Sequence, residues 1–239
     1  MRYKLQIHLL WAILMLPVAV HAQSDNCVTT ELRTDLVSQY LWRGQLLGNV
    51  SFQPSMALEW KGLSLEAWGS VSMVDAADPR EIDLTLSYTF HDITLGLADY
   101  WYSDCDPRYF SFKMPGTGHV LEAFAACEVG PVELSWHTNI AGADTETLNG
   151  ERAWSSYTEI ALPFEWSNCE WEAALGIVPF ATDYYEVDGF AITNISLKME
   201  RSVALTEKLT LPLYVQLIAN PAVGHLYLVG GLSLVVSNR

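Results

Sequence analysis

From about residue 30 to the end, apolar and polar side chains alternate with period two in segments of about ten residues. The clearest segment is 81 to 91, where Ile82, Leu84, Leu86, Tyr88 and Phe90 share one face and Glu81, Asp83, Thr85, Ser87, Thr89 and His91 the other. Period two is the signature of a strand with one oily and one wet face. The same dyad runs through 50–60 and 208–218, and weaker copies cover 30–43, 63–73, 93–102, 118–127, 131–140, 153–164, 169–178, 190–199 and 225–236. That makes twelve strands. Asp99 interrupts the apolar face of its segment, and 118–127 is too rich in alanine to alternate cleanly.

The breaks alternate in length. Lys61-Gly62, His91-Asp92, Gly130-Pro131 and Ser167-Asn168 carry tight-turn chemistry, which joins neighbouring strands as hairpins. Between them lie longer acidic breaks with Asp75 and Asp78, Asp104 and Asp106, Asp144, Glu146 and Glu151, then Asp183, Glu186 and Asp188. Short turns at one end and long loops at the other are the layout of a bacterial membrane barrel, with the short side periplasmic. A soluble β-sandwich also alternates, but its strands average about 5 to 6 residues, whereas a tilted membrane strand needs about 9 to 11. Trp42, Trp60, Phe90, Trp101, Trp154, Phe164 and Trp171 fall near segment ends, as interfacial girdles do. The expected fold is all-β: a transmembrane antiparallel up-and-down β-barrel of about twelve strands.

Export is expected as well. Arg2 and Lys4 precede an apolar run from Leu9 to Val20 that closes on Val20-His21-Ala22, the pattern of a secretory signal peptide. The run is too short for the roughly 20 residues of a spanning helix. Residues 1–22 are thus read as a signal peptide and 23–239 as the barrel, placed in the outer membrane of a Gram-negative cell. Beyond Ala22, 11 Lys and Arg face 28 Asp and Glu, an excess that repels phosphate backbones and argues against nucleic acid. Cys27, Cys105, Cys127 and Cys169 show no zinc spacing, so neither a metal nor a cofactor is expected. Three complete pairings are open in principle. The strand order puts Cys27, Cys127 and Cys169 toward the periplasm and Cys105 in an outer loop, which leaves Cys105 unpaired.

One stretch is distinctive: Asp35-Leu36-Val37-Ser38-Gln39-Tyr40-Leu41-Trp42-Arg43-Gly44. By parity, Tyr40 and Trp42 lie on the lipid face at the outer end of the first strand, Arg43 points into the lumen near the mouth, and Gly44 opens the loop. In Ser38, Tyr40, Arg43 and Gly44 the chain resembles the TorF family of porin-like proteins, whose first strand carries Ser-x-Tyr-x-x-Arg-Gly. The resemblance covers the first strand and implies porin-like passage without naming a solute. Many such barrels end on an aromatic residue that the barrel-assembly machinery reads, whereas this sequence ends Leu234-Val235-Val236-Ser237-Asn238-Arg239.

Polar parity lines the inner wall with Glu31, Asp35, Glu59, Glu66, Glu81, Asp83, Glu122, Glu133, Glu159, Glu170 and Glu172, answered by Arg33, Arg43 and Lys198. Such a wall concentrates cations and repels anions. The expected function is a narrow porin-like channel for small cationic or neutral solutes, non-enzymatic, embedded among outer-membrane lipid and lipopolysaccharide, of open oligomeric state. Lumenal Trp68, Tyr100, Tyr157 and Tyr214 would plug the bore or stack on a flat solute. A barrel hydrolase acting on lipid or lipopolysaccharide is the enzyme alternative, and would need a nucleophile beside a rim histidine. His91 and His137 read as lumenal, His119 and His225 as near the outer rim, and no Gly-x-Ser-x-Gly element occurs. A structural or adhesive barrel is the third class, although no loop has calcium-loop spacing.

Overall fold

The computed structural model describes residues 27–75, 77–114, 116–145 and 151–238. The segment read as a signal peptide lies outside them. Twelve strands close into one antiparallel ring: β1 (Thr29–Val37), β4 (Ser51–Trp60), β5 (Leu63–Ser72), β6 (Glu81–Phe90), β7 (Ile93–Tyr102), β8 (His119–Val129), β9 (Val132–Gly142), β10 (Ser156–Trp166), β11 (Cys169–Val178), β12 (Ala191–Ala204), β13 (Leu209–Asn220) and β14 (His225–Ser237). A short separate hairpin, β2 (Tyr40–Trp42) with β3 (Gln45–Gly48), sits between β1 and β4. Each wall strand pairs with its neighbours in sequence, and β1 closes the ring by pairing with β14, Leu32 opposite Val236. Closure leaves no unpaired sheet edge, as a backbone in hydrocarbon requires.

Register shows which face each side chain takes. Leu65 lies opposite Leu86, Leu86 opposite Leu97, and Leu197 opposite Leu217, and these residues look outward. The belt they form is exposed and apolar: Leu65 is 48% accessible, Leu95 59% and Leu228 67%. A water-soluble monomer rarely exposes more than a few hundred Å² of contiguous apolar surface. A belt around a whole barrel therefore meets lipid. Replacing Leu97, midway along β7, with arginine should cost about 2–4 kcal/mol of unfolding free energy, because the charge would sit near the bilayer midplane. Urea titration of both proteins in lipid vesicles checks this, and an unchanged midpoint would place that face in water.

The short turns fall where turn chemistry predicts. Lys61 and Gly62 both take positive φ (50° and 83°), as do Ser167 and Asn168 (56° and 59°), the two-residue geometry that matches strand twist. Beyond the β7–β8 and β11–β12 ends the loops are long. Cys105 is exposed in the β7–β8 loop, whereas Cys127 and Cys169 lie near the short-turn end.

The first segment departs from its expected course. The wall strand ends at Val37, not at residue 43, because Ser38 turns away: its amide donates to the Gly230 carbonyl (2.9 Å) and its hydroxyl accepts from the Gly230 amide (3.0 Å). Beyond Ser38 the chain does not continue along the rim of the wall but folds inward as the β2–β3 hairpin. Tyr40 and Trp42 accordingly do not face lipid. Tyr40 packs on lumenal Trp68 (centroids 5.4 Å apart), and Trp42 on Tyr100, Tyr184 and Tyr185 at 5.6 to 6.2 Å.

Candidate functional site

Arg43 and Gly44 form the tip of that hairpin, with φ of 51° and 82°. Gly44 does not open a loop. It completes a tight turn in which a side chain is excluded twice, by the left-handed backbone and because a Cβ would run into the Thr193 carbonyl of β12. Its own carbonyl accepts from Asn220 Nδ2 of β13 at 3.0 Å. The tip is thereby docked against the inner wall in the long-loop half of the barrel, beside the start of β12 and the end of β13.

Arg43 extends from the tip to Glu122 of β8, five places round a twelve-strand ring from β1, so the hairpin crosses the lumen. The pair is forked: Nη1 donates to Oε2 at 2.6 Å and Nη2 to Oε1 at 2.9 Å. Nη1 also donates to the Tyr185 hydroxyl at 2.6 Å. The guanidinium lies over the rings of Trp42 (4.2 Å) and Tyr157 (4.7 Å), where cation–π attraction adds to the ion pair. Arg43 and Glu122 side chains are 8% and 1% exposed. Glu122 accepts further from Tyr100 (2.9 Å), and its Oε1 lies 2.8 Å from His137 Nδ1. Burial pushes the Tyr185 hydroxyl up to about 12. That phenol stays neutral, and Glu122 carries the charge that balances Arg43.

A second inward segment seals the same half of the bore. Between β11 and β12, a Thr182–Val187 bridge shapes the loop. Tyr184 and Tyr185 fill the space between Trp42 and the wall residues Tyr100, Val120, Tyr157 and Val178. Gln45 donates to the Tyr184 carbonyl at 3.2 Å, joining hairpin and loop. At its base Ser155 bonds both Asp144 and Thr182. These loop tyrosines escape sequence reading, since an irregular acidic segment has no parity to show which way it points.

The other expected lining residues divide by depth. Register puts Glu31, Arg33, Asp35, Glu59, Glu66, Asp83, Glu133, Glu159, Glu172 and Lys198 on the inner face, together with Glu81 and Glu170. Arg43 and Glu122 come together as the latch. The plugged half also holds Glu81, 5% exposed at the long-loop end of β6. Glu31, Glu59, Glu66, Glu133, Glu170 and Glu172 line the short-turn half, where each stays partly or fully accessible. Cations there are few and engaged: Arg33 with Asp35 (2.8 Å) and Lys198 with Glu200 (2.8 Å). The short-turn half is an acidic vestibule, the long-loop half a packed plug.

Lumenal aromatics do not all obstruct. Tyr157 lies across Gly176 and Tyr214 across Gly231, and a Cβ at either glycine would collide with the ring. Both rings are thus laid against the wall. Between the hairpin and the β13–β14–β1 wall a cavity of about 90 Å³ remains, lined by residues including Gln39, Gln53, Tyr214 and Gln216.

The histidines are otherwise occupied. His119 faces outward at the long-loop end, its Nδ1 2.9 Å from Asp99 Oδ2 and its Nε2 2.5 Å from the Tyr109 carbonyl. A carbonyl oxygen accepts only, so Nε2 donates to it while Nδ1 faces the Asp99 carboxylate, and both ring nitrogens are engaged. His137 is held by Glu122, His225 lies 2.8 Å from the Tyr227 hydroxyl, and His91 stacks edge-on with Phe90 at a short turn. Among the described residues no cluster of three or more His, Cys, Asp or Glu could hold a metal.

No family model matches the chain, and no curated protein matches it either. Among solved structures it is similar to an outer membrane channel from Pseudomonas putida F1, at 13% identity over 93% of this chain and 99% of that one (TM-score 0.41). It is also similar to the NanC porin, at 9% identity over 88% and 99% (TM-score 0.41). At these values neither likeness bears on solute or mechanism.

Proposed function

We propose that the protein is an outer-membrane, porin-like channel for small cationic or neutral solutes, narrow because its own β2–β3 hairpin constricts the bore. The observation that carries the reading is the pairing of an outward apolar belt with an accessible, carboxylate-lined vestibule that ends on a latched plug. A wall of one sign raises the local concentration of counter-ions. In this reading solute enters past the hairpin from the long-loop side, which faces the exterior, and leaves through the acidic half into the periplasm. The four-residue resemblance to the TorF family supports the same function, and the arginine and glycine of that motif are the hairpin tip. An enzyme is not favoured, because the partners of His91, His119, His137 and His225 are carboxylates, a carbonyl, a phenol and an aromatic ring.

Conductance of the refolded barrel in a planar bilayer tests this. The native protein should pass a small current with cations preferred over anions. Anion preference, or silence both with and without the hairpin, would overturn the proposal.

A further inference from the structure

At the long-loop end of β7 and β8 the apolar belt of the outward face is interrupted. Asp99, Trp101 and His119 point outward there, by register with Leu84, Ile82 and Leu121, yet Trp101 is 6% exposed and His119 5%. They are covered by the β7–β8 loop, whose described residues 103–114 and 116–118 fold over the outside of the wall. Tyr109 packs on Trp101 (5.5 Å) and His119 (5.1 Å), and Phe112 lies on the His119 ring at 4.4 Å. With the Tyr109 carbonyl on His119 and Asp99 behind it, the loop is pinned to the barrel exterior. This explains the polar residue that breaks the alternation of β7.

The loop's free side is amphipathic. Phe110 is 86% exposed and Phe112 63%, beside Met114, and these three with Arg108 and Lys113 border an open groove of about 800 Å³. Arg108 is tied to Asp106 at 2.9 Å, and the hydrogen bonds from Arg108 hold the Asp106 carboxyl well below the usual carboxylate range. Lys113 is exposed and, among the described residues, takes part in no salt bridge. The setting matters as much as the composition. Asp99 is three residues below the end of a strand of ten, so the loop overlaps the level at which headgroups meet acyl chains. The other long loops carry Asp75, Asp78, Asp144, Asp183 and Asp188 with fewer cations to answer them and repel phosphate, whereas in this loop Asp106 is tied to Arg108 and Asp104 sits at the strand end, away from the groove lining.

We propose that this groove binds lipopolysaccharide of the surrounding outer leaflet, with Lys113 and the outer edge of Arg108 on a lipid phosphate and Phe110, Phe112 and Met114 along an acyl chain. The inference rests on the outer-membrane channel reading. Its partner is set by charge and position: an anionic, phosphorylated, acylated molecule reached from the side of the barrel.

The test is binding of fluorescent bisphosphorylated lipid A to the folded full barrel in micelles, with phosphatidylglycerol as competitor. Lys113→Glu should weaken binding about tenfold, since it reverses a charge at a lipid phosphate, and Phe110→Ser should weaken it several-fold. Both positions are exposed, so heat-modifiable gel mobility and conductance should stay native. Unchanged affinity in both variants, no binding by the native barrel, or competition by phosphatidylglycerol as strong as by lipid A itself would overturn the site while leaving the channel reading intact. A native chain that forms no detergent-stable barrel would bring down both.

Discussion

Arg43→Ala should convert a nearly closed conduit into one that flickers open, with average conductance several-fold above native. Removing one partner of a buried ion pair strands the other, at a typical cost of about 3–5 kcal/mol, and Glu122 at 1% exposure has no water to turn to. Tyr100 and His137 still reach that carboxylate, which puts the loss toward the low end of that range. The hairpin would keep its bonds from Asn220 to Gly44 and from Gln45 to Tyr184. It would therefore loosen without unfolding. Arg43→Lys should fall between, because an ammonium keeps the charge but not the two-pronged geometry or the stacking on Trp42 and Tyr157. Single-channel recording and a urea midpoint report the two effects separately. If both match the native protein, the Arg43–Glu122 pair holds nothing closed.

Excision of residues 39–48, with a short Gly/Ser linker in their place, should have the larger effect on current. The wall should survive, since Val37 already pairs with Ser51 and the β1–β4 ladder runs unbroken to Thr29 opposite Glu59. The lumen would lose Trp42 and Arg43 from the plug, and Tyr184 and Tyr185 would lose their packing partner. A steady, strongly cation-selective conductance well above that of Arg43→Ala is expected, because the vestibule carboxylates would then face an open path. Heat-modifiable mobility on a gel shows whether the barrel has formed. A barrel that forms yet conducts no better than the native protein would relocate the constriction to the wall side chains.

Most of the wall is legible in the order of the residues. Alternation over ten residues is a property of consecutive side chains, and twelve copies leave little freedom in strand number or facing. Hence Asp83, Glu66 and Glu172 can be assigned to the inner face from parity alone. Parity misleads at Tyr40 and Trp42 because it assumes that the strand continues, and nothing in a two-residue period marks Ser38 as the bend. A signal is nevertheless present. Arg43-Gly44 between short apolar runs is the same turn chemistry as Lys61-Gly62, which reads as a hairpin. Asp99 looks like a flaw in its segment because its cover, the β7–β8 loop, lies outside the repeating pattern.

What the chain determined by itself was the ring: its strand count, its greasy exterior and the sign of its interior. Whether that interior is open was decided in three dimensions. Arg43 meets Glu122 79 residues away and Tyr185 142 residues away, and no local rule connects positions so distant. The hairpin turns inward because closing the barrel places a buried carboxylate and a bed of tyrosines where its tip can reach them, and the energy of that encounter exists only once the ring is shut.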